Sequence, residues 1–467
     1  MHSPWAPTWS TSPADQLLNL PVTAMEFTST RDPAQAAGFA AALLQGLAPD
    51  GGLYVPRTWP GLDPKTFGEA SDLPGVATHL LTPFAAGDEL APSLPAITRD
   101  AFNFPAPLVP LDAAGRLSVL ELFHGPTAAF KDFGARFLAA CMSRLRKPDQ
   151  RPLTILVATS GDTGGAVAAA FHRRPGIEVA VLFPKGLVSP TQERQLTCWG
   201  DNVQSFAVRG TFDDCQRLVK QAFLDPSLRE ETELSSANSI NLGRLLPQAV
   251  YYAATSLAIW RKYGEPASYV VPSGNLGNVA ACLWARKVGL PIGEIVLAHN
   301  ANRTVSDYLE TGEWKPRPSV ATLASAMDVG NPSNMERLRA LFPELRDMRN
   351  AVSAYTVTDD AIRARIWAGF EEFGQVWCPH TATAAEVYER LSAARQGAPK
   401  QHGRWVVVGT AHPAKFREIV EPLIGQAIPV PETLAKLFAR PTECTEIDAD
   451  LSALRAALGR RNRSWKS

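Results

Sequence analysis

A lysine at the start of a predicted helix is the residue of this sequence that is most clearly suited to a chemical reaction. Lys131 follows an apolar run, Ser118 to Phe123, that predicts a buried strand. It opens a helical pattern of apolar residues at three- and four-residue spacing: Phe130, Phe133, Phe137, Cys141 and Leu145. The N-terminal end of a helix dipole disfavours positive charge, so we expect Lys131 to act through its amine, which when desolvated can form a Schiff base with a carbonyl cofactor. Most lysines near helix starts are solvated surface residues, and Lys131 taken alone does not exclude that alternative.

The bulk composition narrows the class of protein. The 467 residues suffice for two or three domains, and 45% hydrophobic with 20% charged residues is typical of a globular chain. Lys plus Arg and Asp plus Glu number 46 each, so no basic excess indicates nucleic acid or an acidic membrane as a partner. Six scattered cysteines without a C-x-x-C spacing predict a reduced, cytoplasmic chain with no metal site. No apolar run reaches the length of about 18 residues that a membrane span needs, and residues 1–24 indicate a disordered extension.

Apolar runs alternate with helical stretches from about residue 117 onward, which predicts an α/β fold with a largely parallel sheet. Four units share one design, in which a strand ends in a polar loop that opens a helix. Their strands are predicted at 118–123, 153–158, 268–272 and 405–409. Ligands of open α/β sheets lie outside the carboxyl ends of the strands. We therefore expect the four loops to form one shared site.

The loop after strand 268–272 is suited to a phosphate group. It reads Ser273-Gly274-Asn275-Leu276-Gly277-Asn278 and leads straight into a predicted helix. Its glycines allow a ligand to approach the backbone N–H groups closely, and the helix dipole favours an anion. The loop is neither the G-x-G-x-x-G dinucleotide pattern nor a Walker loop. A lone phosphate group, as on a small cofactor, fits it better.

The loop after strand 153–158 offers hydroxyls and backbone N–H groups for a carboxylate or a phenolate. Thr159, Ser160, Asp162 and Thr163 are its candidate substrate contacts. An ionised Asp162 cannot donate a hydrogen bond, and capping of the following helix is the alternative for it.

Further polar residues could line the same cleft. Thr410 ends the strand 405–409, where its hydroxyl could bond a neutral ring nitrogen, and His412 could be a ligand, a base or a turn cap. Arg244 offers a planar fork for phosphate or carboxylate, although a surface helix start is the alternative. The other candidates are Asn241, close to Arg244, and the pair Lys185 and Ser189, which follow a strand at 177–183.

Taken together, these motifs resemble the threonine synthase family. The stretch from His124 to Phe133, His-Gly-Pro-Thr-Ala-Ala-Phe-Lys-Asp-Phe, is similar to that family's cofactor-lysine motif. More stretches match in the same order: Ser29–Arg31 with Gly46–Pro56, Thr159–Gly165, Asn238–Arg244, Ser273–Asn278 and Thr410–Phe416. The resemblance covers residues 25 to about 425. Leu276 stands where many relatives have Phe, and Ala128 where Leu is frequent; neither departure removes a reactive group.

The resemblance implies the fold-type-II architecture of pyridoxal-phosphate (PLP) enzymes, the group of tryptophan synthase β. That α/β fold has mostly parallel sheets in a large domain and a smaller mobile domain, here with an added N-terminal region. We expect the N-terminal region at 25–105, the large domain at 106–149 and 246–467, and the mobile domain at 150–245.

The resemblance also assigns roles to the loops. Lys131 would carry pyridoxal 5'-phosphate, and Ser273–Asn278 would hold its phosphate. The Thr159–Gly165 loop would lie near the ring oxygen and the substrate carboxylate. Thr410 would face the pyridine nitrogen and leave it neutral.

The implied reaction converts O-phospho-L-homoserine and water into L-threonine and phosphate, by γ-elimination and β-hydration. Lys131 would be the general base. The leaving phosphate needs cations, for which Arg244 and Lys185 are the candidates, with Ser189 a weaker one. We expect a monomer or homodimer with no nucleic-acid or membrane partner.

Three alternatives stay open. A phospho-lyase on the same scaffold would release 2-oxobutyrate and differ only in where water enters. The second is an inactive PLP-binding scaffold protein, against which the intact Lys131 and the glycine loop argue. The third is a phosphate-binding regulatory module, which would have no use for Lys131 in its aromatic setting.

Overall fold

Three sheets organise the part of the chain that the structure describes. This computed structural model describes residues 24–68, 72–147, 149–159, 161–394 and 403–461. The extension predicted at residues 1–24 therefore lies outside the described residues except for its last position, and Ser160 lies outside them as well. No helix in the described ranges is long and apolar enough to cross a bilayer.

The strands of the described residues form sheets of three, six and five strands. In chain order they are β1 Phe27–Ser29, β2 Ala36–Ala37, β3 Tyr54–Pro56, β4 Leu108–Pro110, β5 Leu117–Glu121, β6 Leu153–Ala158, β7 Ile177–Pro184, β8 Val203–Arg209, β9 Glu233–Ser235, β10 Ala267–Pro272, β11 Ile292–His299, β12 Ser353–Thr356, β13 Arg404–Gly409 and β14 Thr445–Asp448.

The α-helices cover the sheets and connect their strands. In chain order they are α1 Phe39–Gln45, α2 Leu73–Leu81, α3 Leu94–Ala101, α4 Lys131–Leu145, α5 Asp162–Phe171, α6 Pro190–Thr197, α7 Phe212–Leu224, α8 Pro226–Glu231, α9 Leu242–Leu245, α10 Ala249–Tyr263, α11 Gly277–Lys287, α12 Thr304–Thr311, α13 Met335–Leu341, α14 Leu345–Ala351, α15 Asp359–Phe373, α16 Pro379–Ala394, α17 Arg417–Ile424, α18 Glu432–Phe438 and α19 Leu451–Arg461.

The six-stranded sheet is buried on both faces. Its order is β12-β11-β10-β13-β5-β4, and only β4 at the edge runs antiparallel. Successive side chains of a strand point to opposite faces. Tyr269 and Val271 accordingly join the core beneath α10 and α11, whereas Val270 joins the core beneath α16. Burial on both faces explains why these strands read as continuous apolar runs in the sequence.

This sheet places three of the four predicted loops side by side. The strands β10, β13 and β5 are neighbours, so the loops after them open at one edge. The predicted strand 153–158 is confirmed as β6, but it lies in the five-stranded sheet, so the fourth loop reaches the site from a different sheet.

The five-stranded sheet includes a strand from the last part of the described chain. Its order is β14-β8-β7-β6-β9, and every pairing is parallel. The prediction placed all of 246–467 in the large domain, whereas β14 pairs with β8 and α19 packs against α7. Ile447 and Leu454 are buried in the core of this sheet. Residues 445–461 therefore belong to the sheet of the 150–245 region, because β8 needs an edge partner and these side chains need its core.

Candidate active site

Lys131 opens α4 just past the end of β5, as the sequence predicts. The loop before it is fastened to the loop after β13. The N–H of Phe130 donates to the Thr410 carbonyl at 2.8 Å, and the N–H of His412 donates to the Ala128 carbonyl at 3.0 Å. Ala128 has a φ of 53°, in the left-handed region that favours glycine. Two neighbouring strand ends of one sheet thus fix the position of the lysine.

Lys131 as a whole residue is partly buried. Burial lowers the pKa of Lys131 to about 8; the Asp162 carboxylate opposes this shift, and the charges of Arg244 and Lys415 add to it. A pKa near 8 leaves about a tenth of the amines neutral at pH 7. This amine can therefore act both as a nucleophile and as a base near neutral pH.

Asp162 is the carboxylate of this charge cluster. Its Oδ1 lies 2.8 Å from the Nζ of Lys415, and both side chains are almost fully buried. The amide of Gln192 donates to the same oxygen at 3.1 Å. Burial alone would raise the pKa of Asp162, but the charges of Lys415 and Lys131 outweigh it and hold that pKa well below its ordinary value. The alternative that Asp162 caps α5 is wrong, since the cap position is Gly161 and Asp162 is the first residue of the helix.

The Ser273–Asn278 loop presents a row of backbone N–H groups at the start of α11. The N–H groups of residues 274–278 donate to no acceptor within the described ranges, and Leu276, with a φ of 63°, precedes the first turn of the helix. A Cβ built on Gly274 would lie 2.7 Å from the Cα of Met327, so only glycine fits between the two backbones. Free N–H donors at a helix start suit a phosphate group, and the loop therefore fits the phosphate of PLP.

Asn278 adds a side-chain donor to this loop. Its Oδ1 accepts hydrogen bonds from the hydroxyls of Tyr251 at 2.6 Å and Tyr252 at 2.8 Å. The two tyrosines fix the orientation of the amide and leave its Nδ2 buried without a partner among the described residues. An unpaired buried donor is costly, so a ligand atom is its natural acceptor.

Thr410 lies directly after β13 and is buried. Its N–H donates to the hydroxyl of Thr381 at 3.4 Å, and its own hydroxyl makes no hydrogen bond with a described residue. That hydroxyl is therefore available to a ligand on the same sheet edge as Lys131.

Two predicted substrate contacts use their side chains within the protein. The hydroxyl of Thr159 accepts hydrogen bonds from the N–H groups of Gly161 and Gly164 at 3.0 and 2.9 Å, which shapes the loop before α5. Asn241 caps α9, and both of its amide hydrogens are used, on the carbonyls of Leu43 and Ser236. Both side chains thus shape the loops of the site, and their contact with substrate stays a prediction.

Four other residues that the sequence singles out lie at the starts of helices, in a turn or on the surface. Ser189 caps α6 through a capping box with Gln192. Lys185 is half exposed and pairs with Glu446 at 2.6 Å. His412 accepts a hydrogen bond from the N–H of Ala414, which confirms the turn-cap alternative for it. Thr163 lies in the first turn of α5.

Arg244 is a buried cation with few partners. It is 2% exposed, donates to the Ala237 carbonyl, and leaves its Nε without a partner in the described part of the chain. Burial lowers the pKa of Arg244 to about 10, against the raising effect of Asp132. No carboxylate of the described residues forms an ion pair with it, so Arg244 suits an anionic ligand.

Sequence reasoning missed His380 and gave Lys415 no role. His380 is buried at the start of α16, and its Nε2 accepts a hydrogen bond from the N–H of Ala326 at 3.0 Å. The polar run Cys378-Pro379-His380-Thr381 before a helical stretch was the signal available for His380. Lys415 belongs to the motif Thr410–Phe416, which the sequence analysis recognised only as a match.

Comparison with known proteins decides the family. A model of the threonine synthase N terminus matches residues 26–102, a pyridoxal-phosphate dependent enzyme model matches 101–411, and a threonine synthase C-terminal model matches 381–458. The threonine synthase of Haemophilus influenzae is 40% identical over 441 residues, which span 93% of this chain and 99% of that protein. This chain belongs to the threonine synthase family.

Solved structures of threonine synthases share its fold. The crystal structure of the Escherichia coli enzyme matches with a TM-score of 0.84 and 36% identity, over 94% of this chain and 100% of that chain. PLP-bound threonine synthase from Brucella melitensis matches with a TM-score of 0.84 and 36% identity, over 93% and 99%. The predicted fold-type-II α/β class and the dependence on PLP are thereby confirmed. Threonine synthase is a PLP-dependent lyase, and the roles of single site residues stay predictions.

Proposed function

We propose that this chain is an active threonine synthase that converts O-phospho-L-homoserine and water into L-threonine and phosphate. The observation that carries the proposal is the Lys131 amine at the start of α4, with its pKa lowered to about 8. Such an amine can join a carbonyl group and move protons near neutral pH.

Three parts of the site fit pyridoxal phosphate. We assign the covalent attachment to Lys131, the cofactor phosphate to the N–H groups of residues 274–278, and the ring nitrogen to the Thr410 hydroxyl. When bound, this cofactor supplies a sink for the electrons that the α-carbon of the substrate releases. A hydroxyl at Thr410, unlike a carboxylate, does not favour a positive charge on a ring nitrogen.

Lys131 is the proton carrier of the proposed reaction. Once the substrate amine has taken its place, the neutral Lys131 amine accepts a proton from the α-carbon and gives it up again before it accepts one from the β-carbon. The α-carbon regains a proton when the product forms, the γ-carbon gains the proton that the β-carbon lost, and the spare proton of the water goes to the departing phosphate. Phosphate leaves from the γ-carbon, and water adds at the β-carbon. Asp162, which stays ionised, balances the charge that Lys131 gains with each proton.

Arg244 is our choice for the departing phosphate, because it is buried and forms no ion pair with a described carboxylate. Lys185 and Ser189 stay candidates, but Lys185 already pairs with Glu446 and Ser189 caps α6. We assign the substrate carboxylate to the N-terminal turn of α5, where Thr163 follows Asp162. Ser160 stays a candidate from the sequence alone.

A product assay tests the proposal. The purified chain is incubated with O-phospho-L-homoserine, and threonine, 2-oxobutyrate and phosphate are measured together. Equal amounts of threonine and phosphate are expected. Phosphate with 2-oxobutyrate would instead identify the phospho-lyase alternative, and no release of phosphate would contradict both.

The Lys131→Ala variant is the control for this assay. It is expected to lose the visible absorbance band of the bound cofactor and at least about a thousandfold in kcat. A variant that keeps both would exclude Lys131 as the attachment point.

The location, assembly and mobility of the chain complete the proposal. A reduced cytoplasmic compartment is supported by six cysteines that form no disulfide, five of them buried. We propose a monomer or homodimer without nucleic-acid or membrane partners, which light scattering at several concentrations would test. We also propose that the five-stranded sheet, with residues 150–245 and 445–461, moves relative to the rest when substrate binds.

A further inference from the structure

Lys415 is a fully buried charge that the proposed reaction does not use. It lies in the 3-10 turn Pro413–Phe416 after the Thr410 loop, and its side chain is 0% exposed. Its Nζ lies 2.8 Å from Asp162 Oδ1 and donates to the Thr127 carbonyl at 3.0 Å. A lysine buried this completely is rare unless its charge is paired, and here one ammonium joins a carboxylate and a carbonyl from two other segments.

These contacts connect the two sheets at the site. Thr127 belongs to the loop that ends at Lys131, and Asp162 opens α5 after β6. Helix α6 supports both acceptors, since Gln195 donates to the Thr127 carbonyl at 3.2 Å and Gln192 donates to Asp162 at 3.1 Å. Lys415 is thus the group that touches the lysine loop and the α5 start at the same time.

We propose that Lys415 is a positioning residue for Lys131: it holds the Asp162 carboxylate beside the lysine loop and shares that counter-charge with the Lys131 amine. The proposal rests on the proposed function, because it requires that Lys131 is the reactive amine. Lys415 itself makes no contact with substrate in this scheme and acts through Asp162 and Thr127.

The charges around the two lysines predict the direction in which the titration of Lys131 should shift in variants. Lys415 disfavours a proton on Lys131 because both are cations, whereas Asp162 favours it. Loss of the Lys415 charge should therefore raise the pH at which Lys131 titrates, and loss of the Asp162 charge should lower it. The titratable groups around Lys131 are Asp162, Arg244, Lys415 and His380. Those around Lys415 include Asp132, Asp162, Lys131, His380 and His412.

The matched variants Lys415→Met and Asp162→Asn separate positioning from mere structural support. Both break the same ion pair, so a purely structural role predicts the same direction of change in both. The full-length protein is stripped of cofactor, and the rate at which added pyridoxal phosphate acquires its protein-bound visible band is measured against pH. That rate follows the neutral fraction of the Lys131 amine. K415M is expected to raise the half-maximal pH by about 1 unit, and D162N to leave it at or below the wild-type value.

The half-maximal pH is thus expected to be highest in K415M, with D162N at or below the wild type, and any other order of these three proteins overturns the proposal. Lys436→Met, which removes an exposed lysine paired with Glu432, controls for a general change of charge and should match the wild type. Lys415→Arg keeps the cation and should stay within about 0.3 unit of the wild type; a K415R that follows K415M contradicts the proposal. If K415M does not fold, Lys415→Gln takes its place with the same expected direction.

The wild-type protein shows which proposal has failed. If it forms no band, or K131A forms the same band, the proposed function is wrong. If the band depends on Lys131 but the variants do not fall in the expected order, only the role of Lys415 is wrong.

Discussion

The Nε2 of His380 accepts a hydrogen bond from the N–H of Ala326 at 3.0 Å. Ala326 lies in the 3-10 turn Ser325–Met327, which packs directly on the glycine of the phosphate loop, Gly274. Burial lowers the pKa of His380 to about 4, so the imidazole is neutral at pH 7 and its Nε2 can accept. His380 therefore holds the turn that packs on Gly274, in the loop that we propose for the cofactor phosphate, through a contact that no motif in the sequence specifies.

Replacement of His380 tests this contact. Leu at this position leaves the Ala326 N–H buried without an acceptor, which should lower the free energy of unfolding by about 1–3 kcal/mol. Cofactor affinity should fall about tenfold with it, an estimate from one lost backbone contact at the site. Gln at 380 can still accept this hydrogen bond through its Oε1, so H380Q should lose less stability and less cofactor affinity than H380L. Urea unfolding measures the stability, and cofactor titration measures the affinity. Equal losses in H380L and H380Q would show that the accepted hydrogen bond is not what matters.

A methyl group on Gly274 should displace the wall of the phosphate site. In Gly274→Ala the new Cβ would lie 2.7 Å from the Cα of Met327, so backbone must move. We expect a loss of about 1–3 kcal/mol in unfolding free energy. Cofactor binding should also weaken, which would show as a slower rise of the visible absorbance band of the bound cofactor. Gly61→Ala is the matched control, because its Cβ would meet nothing within 4 Å. Cofactor binding by G274A at wild-type strength would contradict the proposed position of the phosphate.

Two buried arginines allow the phosphate role of Arg244 to be separated from folding. Arg244→Gln should reduce kcat/KM for O-phospho-L-homoserine about a hundredfold, because a charge-assisted contact to phosphate is lost. Arg337 instead donates to the carbonyls of Tyr54, Ser239 and Ile240, all within the protein. Arg337→Gln should lower stability while it changes kcat/KM less than about threefold in the folded protein. Steady-state kinetics and urea unfolding test this prediction. If kcat/KM falls more in R337Q than in R244Q, Arg244 does not bind the substrate phosphate.

Acid should destabilise the protein through its buried histidines. Burial lowers the pKa of His299 and of His380 to about 4, from an unfolded value of 6.5. Between pH 6.5 and 4 the unfolded chain therefore binds protons that the native state does not, so stability is complete above pH 6.5 and falls as the pH drops. Each histidine should cost about 3 kcal/mol by pH 4. The double variant H299N/H380N should show a flatter dependence of unfolding free energy on pH; an unchanged slope would contradict the assignment.

The sequence predicts the reactive groups that a local pattern defines. The strand before Lys131, the helix after it and the loop Ser273–Asn278 all follow from apolar periodicity and glycine spacing, and the structure confirms these elements. Local pattern does not reveal which partner a polar side chain takes. Thr159 and Asn241 look like ligand contacts in sequence, yet their hydrogen bonds go to nearby backbone.

Long-range partners lie beyond the reach of these patterns. Lys415 forms an ion pair with Asp162, from which more than half of the length of the chain separates it. His380 accepts a hydrogen bond from Ala326, which lies in a loop whose sequence has no regular period. The prediction kept residues 445–448 with the rest of 246–467 for the same reason, because four residues carry too little pattern to identify β8 as their partner strand.

The pairing of β14 with β8 means that the five-stranded sheet is completed only late in synthesis of the chain. Arg209 at the end of β8 bonds to Asp448 in β14, 239 residues later in the chain. At roughly 5–20 residues per second a ribosome needs about ten to fifty seconds to make that interval. During this time the outer edge of β8 has no strand to pair with and is open to another nascent chain. The last strand of the described residues therefore covers the seven-residue edge of β8 and leaves the four-residue β14 as the shorter edge of the sheet.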